Sequence, residues 1–363
     1  MEIFDNNNLI ENESELQETY KKDFKILDEN FRFDKFQLFS FKAISEDCNV
    51  LVSAPTSSGK TMVGEYAIIS HLNKNHKIIY TSPIKSLSNE KYKEFKDKNF
   101  CDVGLRTGDN KINVDSNLVI MTAEILRNSL YKSEFDKIDL VIMDEVHFIN
   151  DPDRGKIWEE TIIMLPQSVQ LIMLSATINN VEAFAHWISS VREKKMCLVK
   201  SNKRIVPLSY YIYTENQLHK ISDSTDTFDD KAFFESKRTY EKIQKERKLN
   251  HKSELDPSYF DKIVKFLIKN DLLQTIFFSF SRNNCEKYSK SIQSILTPEE
   301  SANAINMFDF LLRNNKKDYE ILPQYIQIKK LIEKGVCFHH SGIIPILKEV
   351  IEIIFRNGFI KVL

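Results

Sequence analysis

The sequence predicts an α/β fold in which a mainly parallel sheet is covered by helices on both faces. Three observations carry that prediction. Short apolar runs alternate with helical patterns from about Phe31 to Lys200. Several of those runs, such as Leu140-Val-Ile-Met143, are continuously apolar, as buried strands are. One of them, Val50-Leu-Val52, opens into a small-residue loop that leads straight into another helical pattern, Met62 to His71.

Taken in order, strands are expected at 50–53, 77–81, 118–121, 139–143, 170–175 and 197–200. Helices are expected between them, at 60–71, 86–96, 122–131, 158–165 and 181–190. Leu208 to Tyr213 reads as an extended connector. Residues 216–257 turn charged and rich in Ser and Asp, with a Lys/Glu block from Glu235 to Leu249 that suits a solvated helix face. Alternation resumes with a helix at 259–270, a strand at 275–280 and a helix at 282–295. A helical insert at 298–334 follows, then a strand at 336–339, a helix at 345–356 and a strand at 359–363. The expected organisation is a polar leader (1–30), a first domain (31–205), a connector with a charged insertion (206–257) and a partial second domain (258–363). A chain of 363 residues is long for one core, which agrees with two domains.

Composition narrows the function classes. Apolar residues make up 42% of the chain and the formal net charge is −1, so cores can form but no global basic field draws in nucleic acid. Any such binding depends on where individual charges sit. The five cysteines contain no C-x-x-C pair, which argues against a zinc site or a disulfide framework and for a reducing compartment. No 18-residue apolar run offers a membrane span, and Met1 to Asn30 lacks the apolar core of a signal peptide. An intracellular protein, cytoplasmic or nuclear, is the expectation.

The loop Ala54-Pro-Thr-Ser-Ser-Gly-Lys-Thr61 carries the chemistry. A strand, a tight loop and a helix start make a phosphate cradle, because backbone N–H groups and the positive helix end converge there. Ala54, Thr56, Ser57, Ser58 and Gly59 would form the cradle. Lys60 would reach the β- and γ-phosphates and Thr61 would ligate Mg²⁺. Ala54 stands where the general pattern has Gly, and a plain surface turn with a helix cap is the alternative for the loop taken alone. Asp144 and Glu145 follow the strand at 139–143, at the strand end where open α/β sheets bind ligands. Asp144 would hold Mg²⁺ and Glu145 would act as general base on the attacking water; an acidic turn is the alternative. Ser175 and Thr177 close the strand at 170–175 with two hydroxyls able to couple the site to a second surface.

Together these segments resemble the DExH-box helicases of superfamily 2, and among them the superkiller-like RNA helicases, including the nuclear exosome-associated ones. The resemblance rests on the order of Phe36-Gln37, Ala54 to Thr61, Thr81-Ser-Pro-Ile-Lys-Ser-Leu-Ser-Asn89, Gly104-Leu-Arg-Thr-Gly-Asp109 and Met121-Thr-Ala-Glu-Ile-Leu-Arg127. It continues through Asp144-Glu-Val-His147, Arg154-Gly-Lys-Ile-Trp-Glu-Glu160, Ser175-Ala-Thr177, Phe278-Ser-Phe-Ser-Arg282 and His339-His-Ser-Gly342. It implies two RecA-like domains, the second incomplete, with ATP and Mg²⁺ held between them. It implies that Phe31 stacks on adenine while Gln37 reads its polar edge, although Phe31 also suits a core position. His147 would couple the γ-phosphate to the second domain.

The same resemblance implies a nucleic-acid face. Pro83, Lys85, Thr107, Gly108, Thr122 and Arg127 would line one domain, and Ser281, Arg282, Ser341 and Gly342 the other. Hydroxyls, backbone amides and a few cations bind phosphates and sugars without reading bases, so a single strand would be held regardless of sequence. RNA is favoured over DNA by the resemblance alone. The family also carries a Thr-Glu-rich motif and a Gln- and Arg-rich motif that this sequence lacks, and an arginine on the transferred phosphate is worth roughly 10³–10⁵ in rate. The expectation is an ATP-dependent RNA helicase or its N-terminal part, acting on single-stranded RNA or a duplex with an overhang, with an RNA-decay complex as partner. A non-hydrolysing, nucleotide-dependent RNA-binding scaffold and a DNA helicase are the alternatives.

Overall fold

The computed structural model describes residues 1–5, 8, 10, 12–25, 28, 30–99, 101–108, 110–135, 137–214, 217–223, 227–249, 258–313 and 319–363. Asp109, the last residue of one motif, lies outside them, as do parts of the charged stretch 216–257. The chain divides into two compact units, Met1–Pro207 and Leu208–Leu363.

Unit 1 is built on a nine-stranded sheet. Its strands are β1 (Glu2–Phe4), β2 (Asn49–Ser53), β3 (Ile78–Ser82), β4 (Val103–Arg106), β5 (Lys111–Ile112), β6 (Leu118–Thr122), β7 (Leu140–Met143), β8 (Gln170–Ser175) and β9 (Met196–Lys200). Their order is β1-β9-β2-β8-β7-β3-β6-β4-β5, and every pairing is parallel except β4 with β5. Seven helices accompany them: α1 (Glu13–Phe24), α2 (Lys35–Ser45), α3 (Lys60–Leu72), α4 (Lys85–Lys98), α5 (Ala123–Tyr131), α6 (Gly155–Met164) and α7 (Val181–Val191).

The period of two along each strand divides the core. Val50 and Val52, Ile78 and Tyr80, and Leu118 and Ile120 face one side, against Phe36, Phe41, Val63, Ile68 and Phe95 from α2, α3 and α4. Leu51, Ile79 and Val119 face the other, against Leu126, Trp158, Ile162 and Ile188 from α5, α6 and α7. Burial on both faces is why these strands read as unbroken apolar runs.

The polar leader contributes more than its composition suggests. Residues Glu2–Phe4 extend the sheet edge by pairing with Cys197–Val199. In α1, Tyr20 is buried and stacks edge-on against Phe41 and Tyr66. The buried Gln17 amide donates to the Phe33 carbonyl and accepts from the Phe33 N–H, both at 2.9 Å. A three-residue strand and a helix with one apolar stripe give too little periodic signal to stand out in sequence.

Unit 2 begins with an antiparallel ribbon, β10 (Tyr210–Thr214) and β11 (Gln217–Ser222), where a connector is expected from the sequence. Helices α8 (Asp230–Leu249), α9 (Ser258–Lys269), α10 (Arg282–Ser291), α11 (Pro298–Leu311), α12 (Pro323–Ile332) and α13 (Pro345–Arg356) follow. The last three meet through Phe308, Ile328, Leu331, Leu347 and Ile351. The three strands expected at 275–280, 336–339 and 359–363 shrink to isolated parallel bridges, Thr275 with Val362 and Val336 with Val362. Phe277 N–H reaches the Leu363 carbonyl at 2.8 Å and Cys337 N–H the Val362 carbonyl at 2.9 Å, so the segments lie side by side. Contact two or three residues long is too little for a ladder, and beyond it Phe278 and Phe280 are fully exposed.

Candidate nucleotide and nucleic-acid sites

In unit 1 every parallel strand points its C-terminal end the same way, so the loops after β2, β8, β7, β3, β6 and β4 share one edge of the sheet. Register keeps those ends level: Ser53 pairs with Ser175, Thr81 with Met143 and Ser82 with Thr122. Open α/β sheets bind ligands at this edge.

The loop after β2 is drawn tightly around its own lysine. Lys60 Nζ, 9% exposed, donates to the Ala54 carbonyl at 2.9 Å and the Pro55 carbonyl at 2.8 Å. Burial lowers the Lys60 pKa, and the Glu145 and Asp144 carboxylates oppose that shift. The ammonium's hydrogen bonds go to neutral carbonyls, and an anion can replace them. Gly59 sits at φ +89°, where a side chain is strained, and a Cβ there would lie 2.7 Å from Gln37 Nε2. Ser57 also has a positive φ, 63°. The buried Ser58 hydroxyl has no hydrogen-bond partner. An orphaned hydroxyl, a left-handed glycine and a buried ammonium in one loop fit a phosphate group. Ala54 is buried and its N–H donates to the Ser175 carbonyl at 3.1 Å, so the small side chain in place of glycine is accommodated. Thr56 follows in the same loop.

Gln37 and Asp34 form a capping box at the start of α2, and the Gln37 amide also donates to the Gly59 carbonyl at 3.1 Å. Gln37 therefore braces the loop directly. Phe31 is half-buried and packs edge-on against Phe33, ring centroids 5.1 Å apart, at the margin of the core.

At the end of β7 both oxygens of Asp144 are engaged. Oδ2 accepts the phenol of Tyr80, a residue of β3 with no exposed surface, and Oδ1 accepts the Glu145 N–H at 2.9 Å. Glu145 takes a left-handed backbone, φ 54°, a strained choice for this residue type. Burial first, and Asp144 second, raise its pKa. His147 Nδ1 lies 3.3 Å from Glu145 Oε2, yet that nitrogen is buried without hydrogen-bond geometry, so the pair is proximity only. Thr61 Oγ1 accepts from Lys91 Nζ at 3.4 Å, and Lys91 is held by Glu94 at 2.9 Å. Ser175 is buried with its hydroxyl on the Ala176 carbonyl, and Thr177 is exposed. The donors here are one hydroxyl and one carboxylate beside a phosphate cradle, the hard-oxygen set that Mg²⁺ takes. Among the described residues no cluster of three or more His, Cys, Asp or Glu gathers elsewhere to hold a metal.

The expected nucleic-acid residues of unit 1 occupy the neighbouring strand ends. Pro83 follows β3, and its carbonyl accepts Arg154 Nη1 at 3.5 Å. Lys85 is exposed at the start of α4, its ammonium within 3.2 Å of where a Gly108 Cβ would be. Thr107 is buried and accepts the Asn110 N–H at 3.1 Å. Thr122 caps α5 without a side-chain bond, and Arg127 pairs with Glu160 at 3.3 Å. Within unit 2, the Ser281 hydroxyl caps α10 through the Asn284 N–H, and the Arg282 guanidinium lies 3.7 Å from a built Gly342 Cβ. Gly342 is tied down by Gln324 at 2.9 Å and Ser341 is exposed beside it. Sequence reasoning gave no role to Tyr80 or Lys91, and named Arg154 only as part of a motif. Of these, only Tyr80 carried a signal, a phenol on a wholly apolar strand that needs a buried partner.

Comparison with known proteins follows the same division. Residues 34–184 match the DEAD/DEAH box helicase family. The DExH-box ATP-dependent RNA helicase DExH9 of Arabidopsis thaliana is 37% identical over 355 residues, covering 92% of this chain and 35% of that protein. The exosome RNA helicase MTR4 of Mus musculus is 38% identical, with coverage of 92% and 33%. The antiviral helicase SKI2 of Saccharomyces cerevisiae is 35% identical, with coverage of 92% and 30%. The chain thus spans about a third of the length of these relatives. Among solved structures, the DUF1998 helicase MrfA bound to DNA and AMPPNP superposes with a TM-score of 0.60 at 16% identity, over 98% of this chain and 44% of that one. At that identity the likeness concerns fold. Among the described residues no helix is long and apolar enough to cross a membrane.

Proposed function

We propose, from the match of residues 34–184 to the DEAD/DEAH box helicase family, that this chain is an ATP-dependent RNA helicase or the N-terminal part of one. One observation supports this most directly. A buried lysine in a left-handed glycine loop, a hydroxyl with no partner and two carboxylates meet at one sheet edge.

In this reading Lys60 exchanges the Ala54 and Pro55 carbonyls for the β- and γ-phosphate oxygens, with the loop N–H groups and Ser58 completing the grip. Thr61 and Asp144 would hold Mg²⁺, which when bound would neutralise charge developing on the phosphates. Glu145 accepts a proton from the attacking water. Gln37 and Phe31 serve the base of the nucleotide, and His147, Ser175 and Thr177 carry the state of the site onward. Pro83, Lys85, Thr107, Gly108, Thr122 and Arg127 bind the strand on unit 1, as Ser281, Arg282, Ser341 and Gly342 do on unit 2. The RNA assignment is supported by the similarity to DExH9 and MTR4, both RNA helicases.

The test is ATPase activity of the whole chain with single-stranded RNA, single-stranded DNA or neither. We expect stimulation by RNA above that by DNA. Glu145→Gln should keep nucleotide affinity and lose turnover by about 10²-fold or more. Turnover equal to that of the parent would sink the role of Glu145, and equal stimulation by both strands would sink the preference for RNA.

A further inference from the structure

One β–α segment touches both residues assigned to the metal. In β3, Tyr80 donates its phenol to Asp144. In α4, eleven residues later, Lys91 donates to Thr61 Oγ1 at 3.4 Å. Both side chains are withdrawn from water: Tyr80 has no exposed surface and the Lys91 side chain is 15% exposed. Between them in sequence lie Pro83 and Lys85, the strand-binding candidates that turn from β3 into α4.

The segment is packed and hydrogen-bonded where it meets the site. Phe95 of α4 packs edge-on against the Tyr80 ring, centroids 5.3 Å apart. Lys91 is braced by Glu94 at 2.9 Å, and Glu94 accepts Lys98 at 3.2 Å. Lys98 in turn pairs with Glu65, a buried carboxylate of α3, the helix that begins with Lys60 and Thr61. A displacement of the turn at Pro83–Lys85 would therefore be felt at Asp144 through Tyr80 and at Thr61 through Lys91. Two hydrogen bonds thus reach the two side chains that would hold the metal, and outer partners of this kind set metal affinity.

We propose that Tyr80 and Lys91 are positioning residues through which occupancy of the strand-binding turn Pro83–Lys85 changes the affinity of the nucleotide site for Mg²⁺. The proposal rests on the assignment of Thr61 and Asp144 given above. Coupling between two sites requires an element whose arrangement both of them bias. Residues 80–98 are that element.

The experiment is binding of a fluorescent ADP to the full chain as Mg²⁺ is titrated, with and without a single-stranded RNA oligonucleotide. It reads metal affinity without turnover. In the parent, RNA should lower the Mg²⁺ concentration for half-saturation by roughly fivefold or more, the scale of ordinary allosteric coupling. Tyr80→Phe keeps the ring packed on Phe95 and removes only the donor. It should raise the Mg²⁺ requirement by roughly tenfold and bring the RNA factor close to one. Lys91→Met should also abolish the RNA factor, and Lys91→Arg, which keeps a donor, should restore part of it. Thermal melts of each variant separate misfolding from miscoupling. An RNA factor of one in the parent, or the same factor in the parent and in both Tyr80→Phe and Lys91→Met, overturns the relay. Lys60→Ala is the control for the underlying site: nucleotide binding that survives it would count against the nucleotide assignment itself and not against the relay.

Discussion

Units 1 and 2 read alike in sequence and fold differently. Both alternate apolar runs with helical patterns. In unit 1 the runs join into nine strands with apolar clusters on both faces. Among the described residues of unit 2 the corresponding runs meet only at the bridges around Val362, and a cavity of about 700 Å³ opens between Phe260, Tyr288, Val336 and Phe338 and the exposed Phe278 and Phe280. Helix contacts are local and form wherever an apolar stripe finds a neighbour, as in α11–α13. A sheet needs partners along the whole length of each strand. The contrast shows that an apolar run measures readiness to pair and that a ladder appears only with enough partners.

The largest expected effect tests whether nucleotide chemistry belongs to unit 1 alone. Lys60→Ala should reduce ATP turnover by on the order of 10²–10³ and weaken nucleotide binding, through loss of a preorganised cation. Arg282→Ala in unit 2 should weaken strand binding and leave nucleotide affinity in place. Isothermal titration with nucleotide checks both, and an equal loss of nucleotide affinity in Arg282→Ala would break the division.

A smaller effect separates a closed core from an open face. Trp158→Ala removes a side chain 1% exposed in unit 1 and should cost about 3–5 kcal/mol. Phe278→Ser removes an aromatic 93% exposed and should change stability by less than about 0.5 kcal/mol while reducing self-association. Urea unfolding and light scattering measure the two. A large loss of stability in Phe278→Ser would mean that the face is covered.

The last effect is a pH dependence to which a buried histidine of unit 1 contributes. His71, 4% exposed on α3 with Nδ1 3.0 Å from the Ala67 carbonyl, has its pKa lowered to about 4, chiefly by burial. The folded value lies below the unfolded one, so the unfolded chain binds the extra proton first. Stability is whole above about pH 6.5 and falls as pH drops toward 4, by roughly 3 kcal/mol in all. Melting temperature against pH should fall less steeply between pH 6.5 and 4 in His71→Gln than in the parent. A flat parent curve would contradict the burial of His71.

Much of the nucleotide site is legible in the sequence because it is assembled from contiguous pieces. The loop 54–61 carries its own turn, helix start and lysine, and Asp144 is announced by the strand before it. The capping box of Asp34 with Gln37 is likewise local, three residues apart. The supports were hidden because they join distant segments: Tyr80 and Asp144 are 64 residues apart, Lys91 and Thr61 are 30 apart. Nothing in the spacing of a tyrosine marks which carboxylate it will meet.

Taken by itself, then, the sequence determined the α/β class, the alternation of elements and the side chains able to grip a phosphate, since these follow from local periodicity and loop chemistry. Tertiary structure alone decided the strand order, the docking of Glu2–Phe4 onto the sheet, and the contacts of Tyr80 and Lys91. It also decided that residues 275–280 would stop at a single bridge. The physical reason is the same throughout: propensity belongs to neighbours in the chain, whereas pairing and side-chain partnership are settled by whatever the folded backbone brings within reach.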